Sequence, residues 1–317
     1  MDRNARTAMS DLLRIAIVGY GEIACRQHVP AIAKASSVAL VAVADPVKTP
    51  PGLPHFRDLQ ELLCDGPEID AVALCTPAQM RHAQASAALA SGKHVLLEKP
   101  PGTTVSELTP LIATAQEAGR TLFATWHSRY AAAVGPARQL LASRTINKVT
   151  IIWKEDVRVW HPGQAWIFEA GGFGVFDPGI NALSILTEIL PRAVFIRSAT
   201  LDFPSNREAP IAAEIELSDA SGLPIHAEFD FRQTGSPSWD ILCETDAGPV
   251  TLSKGGRQLR DGNRLVVDAP DDEYPALYRR FVALASEGKS DVDLAPLRLV
   301  ADSFMLGRRR LVEAFED

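Results

Sequence analysis

In "HVLLEKPP", residues 94–101, a lysine directly follows an apolar run and precedes two prolines. The prolines fix φ and stiffen the backbone after Lys99. Such stiffness suits a side chain held against a substrate. A lysine at a strand end is most often a solvated charge. One that is partly desolvated can have its pKa lowered toward neutrality and act as a general base. Lys99 and the Glu98 before it are therefore the first candidates for proton chemistry.

"GGFGVFDPGIN", residues 171–181, holds the second set. A helix starting near Pro178 would make Asp177 its N-cap and place Asn181 one turn in. Capping accounts for Asp177 but leaves Asn181, a poor helix former, unexplained. Their four-residue spacing puts both on one helix face. A third set is aromatic and polar. His127 and Arg129 follow "RTLFATW", and Trp153 and Glu155 share one strand face by their two-residue spacing. Trp160, His161 and Trp166 come next, and Trp239 lies further on. Each tryptophan taken singly fits a core position. Together with these polar neighbours they offer the flat apolar faces and hydrogen-bonding groups that a sugar ring needs. No His, Cys or carboxylate cluster has metal-ligand spacing, and no G-x-S-x-G elbow occurs, so metal and acyl-transfer chemistry are unsupported.

The elements that must position these residues begin with "LRIAIVGYGEIA". Gly19 supplies a sharp turn after an apolar strand, Gly21 allows close backbone approach, and Ala24 lets the following helix pack closely. By itself the pattern is equally a glycine turn without a ligand. The strand "VALVAVAD" follows and ends in Asp45, 24 positions after Gly21, where a dinucleotide-binding fold places the group for the adenine ribose. "IDAVALCTP" and "KHVLLEKP" add further strands, alternating with helical segments. The alternation predicts a doubly wound parallel sheet covered on both faces, with phosphates at a helix N-terminus.

The domain reading is a tail over 1–11, a dinucleotide-binding domain over 12–125 and an α+β domain over 126–317. The second domain rests on long β-rich runs that alternate apolar and polar, as a mostly antiparallel sheet with one covered face should. "KVTIIWKEDVRVW" reads as one of its strands, and about 274–287 and 296–315 as two closing helices. Ligand is expected at the C-terminal ends of the parallel strands, between the domains. A chain of 317 residues accommodates two domains. The net charge of −7 gives no basic footprint for nucleic acid. No apolar run reaches membrane-span length, and "MDRNARTAMSD" lacks the apolar core of a signal peptide. Cys25, Cys64, Cys75 and Cys243 read as reduced thiols of a cytoplasmic chain.

"GYGEIA" (19–24), "CTP" (75–77), "EKP" (98–100) and "DPGIN" (177–181) resemble the motifs of the Gfo/Idh/MocA oxidoreductases, over nearly the whole chain from Leu12 onward. The resemblance implies an α/β fold: an N-terminal Rossmann domain with a C-terminal α+β domain built on a large mostly antiparallel sheet. It implies NAD or NADP as cofactor and pairing of two subunits through the open sheet face. The family's last motif reads D-x-G-x-H. Here Asn181 replaces the histidine, which removes histidine acid–base chemistry from that position. "ATWHSR", "WKEDVRVWHPGQAWIFEAGGFGVFDPGINALSIL" and "EYPALY" are similar to the family's bacterial 1-dehydrogenases of L-arabinose and D-galactose.

Carried over residue by residue, that resemblance implies Lys99, Asp177 and Asn181 as the catalytic set. It implies Gly19, Gly21, Glu22, Ile23, Asp45, Thr76, Pro77, Glu98 and Lys99 around the cofactor. His127, Glu155, Trp160 and Trp239 join the catalytic set around the sugar. The implied reaction oxidises a galacto-configured aldose (L-arabinose, D-galactose or D-fucose) at C1 to its 1,5-lactone. Asp45 stands where relatives carry small or basic residues and use NADP, so both cofactors stay open. The alternatives are another sugar or polyol dehydrogenase or reductase of the family, and a non-catalytic sugar- and dinucleotide-binding regulator.

Overall fold

A computed structural model gives the structure of residues 12–316, and the tail expected over 1–11 lies outside the described residues. The chain divides into two compact units, with the first break in the sequence between Thr125 and Trp126.

The first unit is built on β1 (Leu13–Val18), β2 (Val38–Ala44), β3 (His55–Phe56), β4 (Ala71–Leu74), β5 (His94–Leu97) and β6 (Leu122–Ala124), in the order β3-β2-β1-β4-β5-β6. Every pairing is parallel. Ile15, Val72, Val95 and Leu96 are completely buried, as strands covered on both faces require. The strand order reverses between β1 and β4, the point at which open parallel sheets bind ligands beyond their strand ends. The helix over 22–34 leaves the first turn, and its middle turn, Ala24–His28, is π-helical.

This unit also contains Tyr274–Asp293, which sequence order alone assigns to the other domain. The helix Glu273–Glu287 buries Tyr274, Leu277, Tyr278, Phe281 and Leu284. Phe281 stacks on Phe123 at 6.2 Å. Beyond the helix, Asp291 pairs with the backbone of β6: the Ala124 N–H donates to Asp291 O and the Asp291 N–H to Leu122 O, each at 3.0 Å. The apolar stripe reveals a buried helix face; which unit it covers depends on contacts far away in sequence.

The second unit carries β7 (Ile146–Lys154), β8 (Val194–Pro204), β9 (Ala212–Asp219), β10 (Ile225–Asp230), β11 (Ser238–Thr245), β12 (Gly248–Ser253), β13 (Gln258–Asp261), β14 (Arg264–Asp268) and β15 (Gly307–Val312). Their order is β14-β13-β12-β11-β7-β10-β9-β8-β15. Six neighbour pairs are antiparallel; β7–β10 and β8–β15 are parallel. The helix Phe176–Ile189 is buried along most of its length. Gly179 makes its close seat possible: a Cβ there would fall 2.7 Å from the Phe229 ring.

Two expectations are corrected in this unit. β7 stops at Lys154, and Val157–Trp160 is a short helix rather than more strand. The Asp156 carboxylate caps it, accepting from the Arg158 N–H at 3.0 Å. The last helix, Ala295–Leu306, ends well before 315, and Gly307–Val312 forms β15. A Cβ at Gly307 would fall 2.8 Å from the Leu201 side chain, and Arg310 forms a two-pronged pair with Asp202 at 2.6 and 2.9 Å. Charged residues along such an edge also deter pairing with foreign strands.

Candidate functional site

The candidate residues of the first unit gather at the C-terminal ends of its strands. Gly19 has φ +89°, and a Cβ there would lie 2.8 Å from Thr76 N and 2.9 Å from Cys75 C. The turn after β1 therefore passes hard against the "CTP" segment after β4, and only glycine fits. Gly21 is different: no described atom lies within 4 Å of where its Cβ would stand. An open cradle beside backbone N–H groups at a helix start fits a dinucleotide pyrophosphate. Ile23 and Glu22 continue that helix, with Glu22 exposed and paired to Arg26 at 2.8 Å. Pro77 precedes the helix Ala78–Ala90, and Thr76 Oγ1 donates to Gln84 at 2.6 Å.

Asp45 closes the loop after β2. Its Oδ2 accepts from the Tyr20 N–H at 2.7 Å, and its Oδ1 from the Val47 and Lys48 N–H groups at 2.9 and 2.8 Å. Burial opposes its charge, but these backbone donors more than offset that and hold the carboxyl below its ordinary range. The carboxylate thus ties the phosphate turn to the β2 loop.

Glu98 is buried, and its side chain is engaged inside the unit. Oε1 accepts from Tyr274 Oη at 2.7 Å and lies 3.0 Å from His28 Nε2; Oε2 accepts from the Lys99 N–H at 2.7 Å. His28 Nδ1 meets Tyr278 Oη at 2.8 Å. Burial disfavours a charge on His28. Cys75, Tyr278 and Glu98 around it outweigh that and raise its pKa well above the ordinary value. Burial pushes the Tyr278 phenol up to about 12. Arg81, itself buried, donates from Nε to Thr76 O at 2.8 Å and from Nη1 to the Glu98 and Pro100 carbonyls. The backbone that carries Lys99 is held from below by Glu98 and from the side by Arg81. Lys99 itself is half-buried.

In the second unit the candidates form a connected group. Trp239 stands opposite Trp153 in the β7–β11 register, and its indole Nε1–H donates to Glu155 Oε2 at 2.8 Å. Trp160, 47% exposed, meets Trp239 edge-on with ring centroids 4.9 Å apart. Asp177 and Asn181 lie on consecutive turns of the helix Phe176–Ile189. That helix starts one residue before Asp177, so Asp177 sits in the first turn and is not the N-cap that the Pro178 spacing suggests. The chain is already curled when it enters, with the Phe176 and Asp177 N–H groups bonded to Phe173 O and Gly174 O. His127 Nδ1 lies 2.5 Å from Glu273 Oε2. Arg129 braces the same helix, donating to Ser184 O at 3.0 Å and Thr187 Oγ1 at 2.8 Å.

Several participants escape a sequence reading. His28, Arg81, Tyr274 and Tyr278 surround Glu98, and Glu273 holds His127. His161, noticed only as one of an aromatic cluster, lies 3.4 Å from Glu155 and 3.7 Å from Asp177. The signal for it was its place directly after Trp160. Among the described residues no cluster of His, Cys, Asp and Glu has the geometry to hold a metal, and no helix is long and apolar enough to cross a membrane.

Residues 13–125 match the model of an oxidoreductase family with an NAD-binding Rossmann fold. The chain is 49% identical over 306 residues to galactose 1-dehydrogenase of Pseudomonas fluorescens, covering 96% of this chain and 99% of that one. It is also similar to the crystal structure of a D-galactose-1-dehydrogenase from Rhizobium etli: 57% identity, TM-score 0.92, 96% of this chain and 98% of the other. A 3-ketoreductase of Actinomadura kijaniata, crystallised with NADP and TDP-benzene, shares the fold at 18% identity and TM-score 0.83, over 95% and 99% of the two chains.

Proposed function

Within the Gfo/Idh/MocA oxidoreductase family, to which this chain belongs, we propose that it oxidises a galacto-configured aldose at C1 to the 1,5-lactone, with L-arabinose, D-galactose and D-fucose as substrates. The observation that carries this reading is the corner made by Trp160, Trp239 and Glu155. Trp160 meets Trp239 edge-on, and the Trp239 N–H already orients one oxygen of the buried Glu155 carboxylate. Apolar faces flanking one fixed acceptor suit a sugar ring, which offers C–H faces and hydroxyls together. The names of the two relatives with high identity agree with that class.

A bound nicotinamide dinucleotide supplies the hydride acceptor. The cradle at Gly19 and Gly21, with Ile23 and the start of the helix over 22–34, would hold its pyrophosphate. Thr76 and Pro77 would flank the same turn. Lys99 takes the proton of the C1 hydroxyl, directly or by way of Asp177. Asn181, one turn from Asp177, orients that hydroxyl. His127, held at Nδ1 by Glu273, is one of the residues around the sugar. Asp45 keeps its negative charge and disfavours a 2′-phosphate, so NAD is used at least as well as NADP. Two copies pair through the exposed face of the nine-stranded sheet, which equilibrium sedimentation would read as a dimer mass.

The test is a panel of aldoses with NAD and NADP, following absorbance of the reduced cofactor. D-galactose, D-fucose and L-arabinose share an axial C4 hydroxyl, which D-glucose and D-xylose invert. Leaving a buried polar group unpaired costs about 1–3 kcal/mol, so galactose over glucose and arabinose over xylose should each differ by roughly fivefold to a hundredfold in kcat/KM. Equal efficiencies for either pair would refute the proposed substrate class.

A further inference from the structure

The segment between β7 and the helix Phe176–Ile189 carries Trp160 on the short helix Val157–Trp160. One helical turn is not stable on its own, so its orientation depends on what its side chains meet. The Val159 and Trp160 N–H groups bond to Asp156 O and the Gln164 N–H to His161 O, all inside the segment. Such bonds set local shape and leave the placement of the turn to other groups. Phe315, beyond β15, meets the segment on both sides of Trp160. Its ring lies 6.0 Å from that of Phe168, and the Arg158 guanidinium stands 5.8 Å from its centroid. Arg158 is in turn fixed by two bonds to Asp156 at 2.9 Å. Phe168 packs edge-on against the buried Phe231 at 6.0 Å. Phe315 is itself firmly seated. Its N–H donates to Asn206 Oδ1 at 2.9 Å, and its carbonyl accepts from Asn206 Nδ2 at 3.1 Å and Arg207 Nε at 3.3 Å. The Arg207 guanidinium also lies over the Phe168 ring at 5.3 Å.

We propose that Phe315 is a positioning residue for sugar binding, stapling residues 157–168 so that the Trp160 ring stays against Trp239. This rests on the reading of Trp160 and Trp239 as sugar-facing. Phe315 acts through Arg158 and Phe168, which bracket Trp160 in the sequence, and is not assigned a contact with sugar or cofactor. Without the ring, the turn samples arrangements in which Trp160, already 47% exposed, leaves Trp239. A ligand that needs one arrangement binds more weakly by the fraction of molecules that have lost it. Once the sugar is bound the turn is back in place, and the chemical step proceeds as before. The signature of the staple is therefore a change in KM for the sugar without a change in kcat.

The experiment uses the full-length protein with D-galactose and NAD. Phe315→Ala should raise KM for galactose about fivefold to tenfold while kcat stays within about twofold and KM for NAD is unmoved. Phe315→Tyr keeps the ring and should restore the wild-type KM. Asn206→Ala, at an exposed position, unseats the ring without removing it and should shift KM the same way by less; it decides the matter if Phe315→Ala does not fold. Because Phe315 acts through Trp160, the double variant Phe315→Ala/Trp160→Ala should have a galactose KM no higher than Trp160→Ala alone. A wild-type galactose KM in folded Phe315→Ala overturns the staple. So do independent, multiplying effects in the double variant, or a fall in kcat with a matching rise in KM for NAD. If the staple fails while Trp160→Ala raises the galactose KM, the sugar reading of the corner stands without it. If Trp160→Ala handles galactose like wild type, that reading falls and the staple falls with it.

Discussion

Each unit buries carboxylate beside histidine, yet the two clusters are built differently. Around Glu98 the partners are close and internal: Tyr274 at 2.7 Å, the Lys99 N–H at 2.7 Å and His28 at 3.0 Å, with His28 and Tyr278 fully enclosed. Around Glu155 and Asp177 the histidine stands off at 3.4 and 3.7 Å and reaches the surface. A buried carboxylate held by three close partners serves to hold shape. The carboxylates beside this loosely placed, partly exposed imidazole are held less rigidly than Glu98. The first cluster fixes the backbone that carries Lys99; the second belongs to the proposed sugar site.

The sharpest way to test that division is to cut the side chain that the sealed cluster supports. Lys99→Ala should reduce turnover by about a hundred- to ten-thousandfold while the thermal midpoint and dinucleotide binding persist. Near-normal turnover in a folded Lys99→Ala protein removes Lys99 from the mechanism.

His28→Leu strikes the sealed cluster itself and leaves buried Glu98 without its cationic partner. Breaking such a pair costs about 3 kcal/mol or more, readable in urea unfolding. The pH dependence has a definite sign. The pKa of His28 is raised in the folded chain, so its contribution is complete below the unfolded value of about 6.5 and is lost as pH climbs through the folded one. Wild type should therefore lose stability toward alkaline pH with a slope that His28→Leu lacks; parallel curves would show His28 to be neutral.

Asp219 extends the comparison to a third buried acid. Its Oδ1 accepts from the Ser221 N–H at 2.8 Å and the Leu223 N–H at 3.1 Å, and Oδ2 from Arg192 at 2.6 Å. Burial opposes its charge, but those donors hold the carboxyl far below its usual range. Its contribution is present above the unfolded pKa of about 3.9 and fades as pH falls below that. Asp219→Ala should cost about 1–3 kcal/mol at neutral pH, flatten the acid limb of stability and leave kcat alone. A lost kcat with intact stability would place Asp219 among the working acids.

The smallest effect concerns Asp45, which shares both characters: three backbone N–H groups bind it, yet it borders the cofactor cradle. Asp45→Ser should move the NAD-to-NADP ratio of kcat/KM toward NADP by about tenfold, some 1.4 kcal/mol. An unmoved ratio would mean that Asp45 only ties the loop.

How much of this was legible varies by residue. The glycine turn, the five longer parallel strands and the strand-end position of Lys99 follow from local pattern, because a covered strand must be continuously apolar and a tight turn must be glycine. The shared face of Asp177 and Asn181 follows from helical period. The short helix at Val157–Trp160 was hidden because "DVRVW" has strand-like alternation, and only the Asp156 cap decides against it.

The sequence by itself determined the first sheet, the phosphate turn and most of the residues that could do chemistry, since each rests on neighbours a few positions away. Tertiary structure alone decided which distant groups meet. Tyr278 reaches His28 across 250 positions and Glu273 reaches His127 across 146. His161 comes within 3.7 Å of Asp177 because the end of the short helix Val157–Trp160 and the start of the helix Phe176–Ile189 converge. Local propensity carries no information about such pairs: they are set by how buried faces pack, and packing is a property of the whole fold.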